Sequence, residues 1–315
     1  MSRRQFSNEH LRGSLSGLLS FPLTPFGQDS SIDCRALAGL IDIALTAGAT
    51  GFFVACGTGE FNALTRQEFQ LVVTTAVREV RGRVPVFAGA GGGTAVAIEF
   101  VQIAAEAGAD GVLVLPPYLV EAPSDGLAAH YLAIAAATDL SVVVYQRANA
   151  VFEPVTVERL VKAENIIGFK DGVGQIERLH RIRATVGDRL IYMNGMPTAE
   201  LYAGALAACG ARGYSSALLN FVPEIASEFY SAFCANDAVT MNSTLDRAVL
   251  PFVEIRNRRA GYAVSLVKAG ARLRGLAVGS VRPPLADPTA PDEADMKKLL
   301  QRLGLDHNLI RAAAA

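Results

Sequence analysis

Lys170 ends the apolar run Asn165-Ile166-Ile167-Gly168-Phe169-Lys170 and is followed at once by Asp171-Gly172. Only five of the 29 basic residues are lysines: Lys162, Lys170, Lys268, Lys297 and Lys298. Arginine carries the rest of the positive charge, so a lysine at the end of a core strand calls for a chemical reason. Burial lowers a lysine's pKa, and an amine that is partly neutral near neutral pH attacks a ketone to form a Schiff base. Arginine cannot. Two plainer readings stand beside this one: a lysine snorkelling out of a strand end, or one paired with Asp171.

Other segments supply compatible chemistry. In Gly57-Thr58-Gly59-Glu60 the glycines let backbone N–H groups approach an anion, and the Thr58 hydroxyl adds a donor. A substrate carboxylate suits that loop. The plain alternative is a tight turn with Glu60 near the start of the next helix. Tyr145 ends an apolar run and offers a phenol for proton relay, or else a core tyrosine with a satisfied hydroxyl. Arg147 lies two residues further on and can clamp a carboxylate, unless it is simply a solvated loop arginine. Gly89–Gly93 resembles a nucleotide loop, but Thr94 occupies the third glycine position of a dinucleotide fingerprint, and Asp110 falls before a strand rather than at its end. Close backbone packing is the better use of those glycines. His10, His130, His180 and His307 have no metal-ligand spacing, so neither metal nor organic cofactor is expected.

Eight short apolar runs must position these residues: Gly17–Phe21, Gly51–Ala55, Val84–Ala88, Gly111–Leu115, Ser141–Tyr145, Ile166–Lys170, Leu190–Met193 and Arg212–Ser215. Segments with helical spacing lie between them, among them Arg35–Ala47, Arg66–Val80, Ala95–Ala107, Ser124–Ala137 and Gln175–Val186. Strands apolar throughout, rather than alternating, fit a parallel sheet covered by helices. The phrase Ala-Gly-Ala-x-Gly recurs from Ala47 and Ala107, and as Cys-Gly-Ala-x-Gly from Cys209, each time at a helix-to-strand junction. Its first glycine suits a left-handed helix end, and its second a strand entering a crowded barrel bottom. The pattern predicts an α/β fold, a (β/α)8 TIM barrel over residues 17–222. It is preceded by an N-terminal arm, 1–16, and followed by a C-terminal helical region, 223–315, packed on the barrel. The helices of that region are Pro223–Ala235, Ala238–Arg256, Gly261–Leu273 and Asp292–Leu303.

Such barrels carry their sites at the C-terminal strand ends. Read in order, those ends give Thr24; Gly57, Thr58 and Gly59; Gly89–Gly93; Pro116-Pro117-Tyr118; Tyr145, Arg147 and Asn149; Lys170; Asn194-Gly195; and Ser215-Ser216. Composition sets the remaining limits. A chain 51 % hydrophobic and 19 % charged supports a large core, and a net charge of −1 gives no electrostatic case for nucleic acid or an anionic membrane as partner. No apolar stretch approaches the ~18 residues of a membrane span. The four separated cysteines, Cys34, Cys56, Cys209 and Cys234, suit reduced thiols and a cytoplasmic location.

Gly57-Thr58-Gly59-Glu60, the strand-five tyrosine and Gly168-Phe169-Lys170-Asp171 together resemble the dihydrodipicolinate synthase / N-acetylneuraminate lyase family of Schiff-base aldolases and dehydratases, over most of the chain. The resemblance implies that Lys170 forms an imine with a 2-keto acid, that Tyr145 relays protons, and that Gly57 and Thr58 hold the keto acid's carboxylate. It also implies a homotetramer, a dimer of dimers. Departures point to a branch. One hydroxyl residue, not two, precedes Gly59-Glu60; Tyr118 is followed by Leu119 rather than a second tyrosine; and Gln146-Arg147-Ala148-Asn149 replaces the usual Pro-Gly. These segments look like the branch of hydro-lyases that dehydrate and decarboxylate a keto sugar diacid. Arg147, with Asn149 or Ser215 and near Gly195, is then expected at the distal carboxylate. An aldolase of related sugar acids, a non-catalytic keto-acid-binding barrel and a dinucleotide-dependent reductase remain as rivals.

Overall fold

The computed structural model describes residues 6–117 and 119–309, so Tyr118 and both extreme termini lie outside it. Eight parallel strands close into a barrel in sequence order: β1 (Leu18–Ser20), β2 (Gly51–Val54), β3 (Val86–Ala90), β4 (Gly111–Val114), β5 (Ser141–Gln146), β6 (Ile166–Asp171), β7 (Ile191–Asn194) and β8 (Gly213–Ser216). β8 returns to pair with β1, which completes the ring. The expected strand positions agree to within one or two residues.

Helix α1 (Asn8–Leu15) precedes the barrel, and α2 (Cys34–Thr46), α3 (Arg66–Val80), α4 (Thr94–Glu106), α5 (Ser124–Ala136), α6 (Pro154–Leu160), α7 (Ile176–Val186) and α8 (Ala203–Ala208) surround it. Local chemistry sets their ends. A capping box between Thr65 and Glu68 opens α3, for instance, by satisfying N–H groups that have no intrahelical acceptor. The polar N-terminal stretch expected as an arm contains α1, whose Leu11 and Leu15 join Leu19, Ile167 and Ile191 in the barrel interior. Leucines four apart on one helix face are enough to plug the barrel bottom. The repeated glycine phrase has the expected uses. Gly48, Gly108 and Gly210 have φ of 89°, 85° and 91°, and a Cβ on Gly213 would lie 1.9 Å from the Leu15 carbonyl oxygen.

β6 departs from strict alternation. Val142 pairs with Ile166, but Val143 pairs with Gly168, leaving Ile167 as an extra residue. Ile167 belongs to the interior cluster with Val143 and Met193. A Cβ on Gly168 would stand 2.8 Å from Met193 Cε and 3.0 Å from Val143 Cγ2. Two successive residues therefore face inward, and the second has no side chain. Beyond this bulge Phe169 packs outward, in the layer between strands and helices. Lys170 comes level with Tyr145. Alternation counted from the outward Ile166 would have turned Lys170 away from the barrel.

After the barrel come α9 (Pro223–Ala235), α10 (Ala238–Thr244), α11 (Leu250–Arg256), α12 (Tyr262–Leu273) and α13 (Ala290–Arg302). The single helix expected over Ala238–Arg256 is interrupted by a π-type turn, Leu245–Val249. Pro251 follows, and its missing N–H cannot close the regular ladder there. Among the described residues no helix is long and apolar enough to cross a membrane. Gly213→Ala is expected to cost ~1–3 kcal/mol in urea unfolding, because backbone rather than a flexible side chain must move. Gly39→Ala, on the exposed side of α2 with nothing within 4 Å of the new Cβ, is expected to gain ~0.4–1 kcal/mol. Equal effects from the two substitutions would contradict this account of the barrel bottom.

Candidate active site

Lys170 is 3 % exposed. Its Nζ lies 4.0 Å from the centre of the Tyr145 ring and 4.7 Å from that of Phe21. Phe21, Phe53 and Phe87 stack in turn beneath it, with ring centres 4.7 and 4.9 Å apart. Asp171 is not its partner. One residue on, that side chain faces out of the barrel and accepts from Gln146 Nε2 (2.9 Å) and from the N–H groups of Val173 (3.0 Å) and Gly174 (3.1 Å). Cys56 lies nearby, but burial pushes its thiol up to about 12 against the pull of Lys170, so it stays protonated. Burial accordingly drives the Lys170 pKa below the ordinary lysine value; Tyr145 and Cys56 oppose that shift, and Arg147 adds to it.

The Tyr145 hydroxyl accepts from Arg147 Nη1 (3.0 Å) and donates to the Gly195 carbonyl (3.1 Å). Burial alone would raise its pKa, but the charges of Lys170 and Arg147 outweigh burial and hold it below the ordinary phenol value. Both groups are thus held below their ordinary values, nearer to neutral pH, which suits proton exchange at this site. Gly195 makes room for both. A Cβ there would fall 2.8 Å from Lys170 Nζ and 2.9 Å from Tyr145 Cε2.

The loop after β2 is tethered from outside the barrel. Glu60 immediately precedes the 3-10 turn Phe61–Ala63, as the sequence leads one to expect, but its side chain does not cap that turn. It sits in the left-handed region at φ 56°, and its buried carboxylate accepts from Lys268 Nζ (2.7 Å) and the Arg282 N–H (2.9 Å). Lys268, on α12, also donates to the Thr24 carbonyl (2.9 Å). Burial lowers the pKa of Lys268, and Glu60 works against that. Thr24 in turn donates to the Gly59 carbonyl (2.7 Å). Gly57 and Thr58 are thereby presented to the cavity.

That cavity, about 560 Å³, is lined by Lys170, Tyr145, Gly57, Thr58, Arg147, Gly195 and Ser215, as the sequence leads one to expect. Two expected residues do not line it. Gly59 backs the loop, and the Asn149 amide is spent on the carbonyls of Pro117 (2.8 Å) and Val120 (2.5 Å), fixing the segment after β4. Tyr118 falls outside the described residues. Ser215 donates only weakly to the Asn194 carbonyl (3.4 Å), whereas its neighbour Ser216 donates to the buried Glu200 (2.6 Å). Burial raises Glu200 to about 7.

Reading strand ends leaves out part of the lining. Arg256, the last residue of α11, and Thr198, just after β7, line the cavity. Burial lowers the Arg256 pKa; Tyr202 opposes this and the like charge of Arg147 reinforces it. Among the described lining residues none is Asp or Glu. The cavity is thus a cationic cup with a desolvated amine at its base.

A sequence profile of the dihydrodipicolinate synthetase family matches residues 14–303. The chain belongs to that family. Within the dihydrodipicolinate synthetase family, the chain is 47 % identical over 306 residues to a protein of Streptomyces griseus subsp. griseus named a probable 5-dehydro-4-deoxyglucarate dehydratase, covering 96 % of this chain and 95 % of that one. A Saccharopolyspora erythraea protein of the same name is 50 % identical over 285 residues, 90 % and 91 % of the two chains. Solved family structures superpose closely. Dihydrodipicolinate synthase from Bacillus clausii gives a TM-score of 0.87 at 27 % identity, over 94 % of this chain and all of that one. YagE, a prophage protein of the family from E. coli K12 in complex with pyruvate, gives 0.82 at 28 %, over 92 % and 98 %.

Lys268→Met is expected to lower stability by ~3–5 kcal/mol, because Glu60 is then buried without a counter-ion. Adding Glu60→Gln should restore part of that loss. A single-variant loss below ~1 kcal/mol in urea unfolding would show the tether to be dispensable. For the amine, borohydride trapping of a 2-keto acid is expected to speed up with rising pH through an apparent pKa below 10.5, the ordinary lysine value. Arg147→Met should move that limb to higher pH, since the guanidinium lowers both Lys170 and Tyr145. An unmodified chain whose limb lies at or above the ordinary lysine value would speak against a desolvated amine.

Proposed function

We propose that the chain is a decarboxylating 5-dehydro-4-deoxyglucarate dehydratase, a carbon–oxygen lyase working through a Schiff base on Lys170. The observation that carries the reading is the Lys170 amine, buried on the Tyr145 ring without a carboxylate partner among the described residues. The names of relatives that match nearly the whole chain select the substrate.

Lys170 attacks the ketone next to one carboxylate, and water leaves as the imine forms. The iminium acidifies the adjacent methylene, whose proton passes to Tyr145. The resulting enamine expels the β-hydroxyl as a second water and leaves a conjugated iminium. That iminium accepts the electron pair released when the distal carboxylate departs as carbon dioxide. Reprotonation and hydrolysis, which takes back one water, free the amine and give 2,5-dioxopentanoate. The net change is loss of one water and one carbon dioxide, with no external oxidant or reductant. The step belongs to glucarate and galactarate catabolism.

Gly57 and Thr58 suit the carboxylate beside the ketone. Their N–H groups and the Thr58 hydroxyl have no hydrogen-bond acceptor among the described residues. Arg147 and Ser215 line the same cavity and are assigned here to the distal carboxylate. A cytoplasmic homotetramer is part of the proposal. The free state of all four cysteines supports the compartment, and the adjacent Leu119 and Val120, 83 % and 50 % exposed, offer apolar surface for a partner copy.

Lys170→Ala is expected to abolish both turnover and the borohydride-trapped adduct; an adduct that persists in this variant would sink the assignment. Incubated with 5-dehydro-4-deoxyglucarate, the unmodified enzyme should release one carbon dioxide per substrate. Pyruvate in its place would identify an aldolase.

A further inference from the structure

One wall of the cavity is not built by the barrel. α11 delivers Arg256 to the mouth, where it lines the same cavity as Lys170 and Arg147. Arg256 donates through Nη1 to the Thr198 hydroxyl, and through Nε and Nη2 to Oδ1 of Asn257 (3.2 and 3.0 Å). A guanidinium carries five N–H donors, so two remain after these three bonds. No acidic side chain among the described lining residues takes them up.

Thr198 is an independent sign. It sits at φ 53°, ψ 69°, in the left-handed region that is costly for a β-branched residue. A chain reversal alone would be better served by glycine or asparagine. Threonine adds a hydroxyl, and that hydroxyl seats Arg256. Two guanidinium groups facing one cavity repel each other until an anion lies between them. A carboxylate placed there gains charge-assisted hydrogen bonds from both. An uncharged chain end would leave both arginines partly desolvated and unpaired, which penalises it.

We propose that Arg256, seated on Thr198, determines specificity for the second carboxylate of a keto diacid and closes a two-arginine clamp with Arg147. This deepens the Schiff-base reading above and rests on it. A carboxylate held between two cations is harder to expel as carbon dioxide, so the clamp acts in binding. Its loss belongs in KM more than in kcat.

The test uses the full chain and two six-carbon keto acids that differ only at the far end, 2-oxoadipate and 2-oxohexanoate, each trapped with borohydride. The unmodified enzyme is expected to reach half-labelling at a ~10–100-fold lower concentration of 2-oxoadipate. Arg256→Met should collapse that ratio to about 3 or less, and Arg256→Lys, which keeps charge and stem but not the fork, should leave an intermediate ratio. The lysine variant carries the test if the methionine variant is unstable. A ratio unchanged in the variants overturns the proposal, including the case in which labelling by both keto acids falls together. If the unmodified enzyme prefers 2-oxoadipate and the Arg256 variants lose that preference, yet the unmodified enzyme releases no carbon dioxide from 5-dehydro-4-deoxyglucarate, the proposed function fails and the clamp stands. If it releases carbon dioxide without that preference, the clamp fails and the proposed function stands.

Discussion

An ammonium group taken out of water with no carboxylate to meet it is a costly arrangement, and the mouth of this barrel is organised around one. Lys170 rests on an aromatic ring with a protonated thiol nearby, and the only acid adjacent to it in sequence is turned outward and satisfied elsewhere. Desolvation weakens the amine as a base while the same surroundings strengthen Tyr145 as an acid. Several neighbours follow from this. Gly195 leaves space for the amine, Gly195's carbonyl and Arg147 hold the phenol, and the phenylalanine stack keeps water from below.

Lys268 shows the opposite use of the same residue type. It too is buried, but Glu60 neutralises it, and the pair joins α12 to the loop that carries Gly57 and Thr58. A paired buried lysine builds; an unpaired one is left as a weakened base facing the cavity. The C-terminal helices are therefore more than cladding: α12 fixes the loop that brings Gly57 and Thr58 to the cavity, and α11 adds a cation to its lining.

Local pattern was enough to reveal the barrel. Eight apolar runs, helical spacing between them and a glycine phrase at the junctions each report on a few adjacent residues, and the closed sheet follows from their repetition. The strand-end rule then gathered Lys170, Tyr145, Arg147 and Ser215 at one cavity. What escaped depends on contacts between distant segments. Glu60 and Lys268 are 208 residues apart, and nothing near Arg256 in sequence marks it as a cavity residue. Asn149 looked like a ligand because an amide after a catalytic strand is well placed for one. Its two bonds to carbonyls of a different loop are invisible to spacing. The start of the chain reads as polar because Leu11 and Leu15 are only two residues among mostly polar ones, yet they suffice to plug the barrel bottom.

The extra residue in β6 bears on how this enzyme can change over time. Ile166 to Phe169 is apolar whichever way it faces, so composition places almost no constraint on which side of the sheet Lys170 occupies. Chain length does. Losing a single residue between Ile166 and Lys170 would restore regular pairing and swing the lysine into the helical layer. Apart from Gly168, whose place leaves no room for a side chain, the strand can therefore exchange one apolar side chain for another at little chemical risk, but it cannot gain or lose a residue. Over evolutionary drift, alignments of this segment should vary in letters while never opening a gap. In a design library, indels here would take the Lys170 amine out of the cavity and leave the hydrophobic pattern intact.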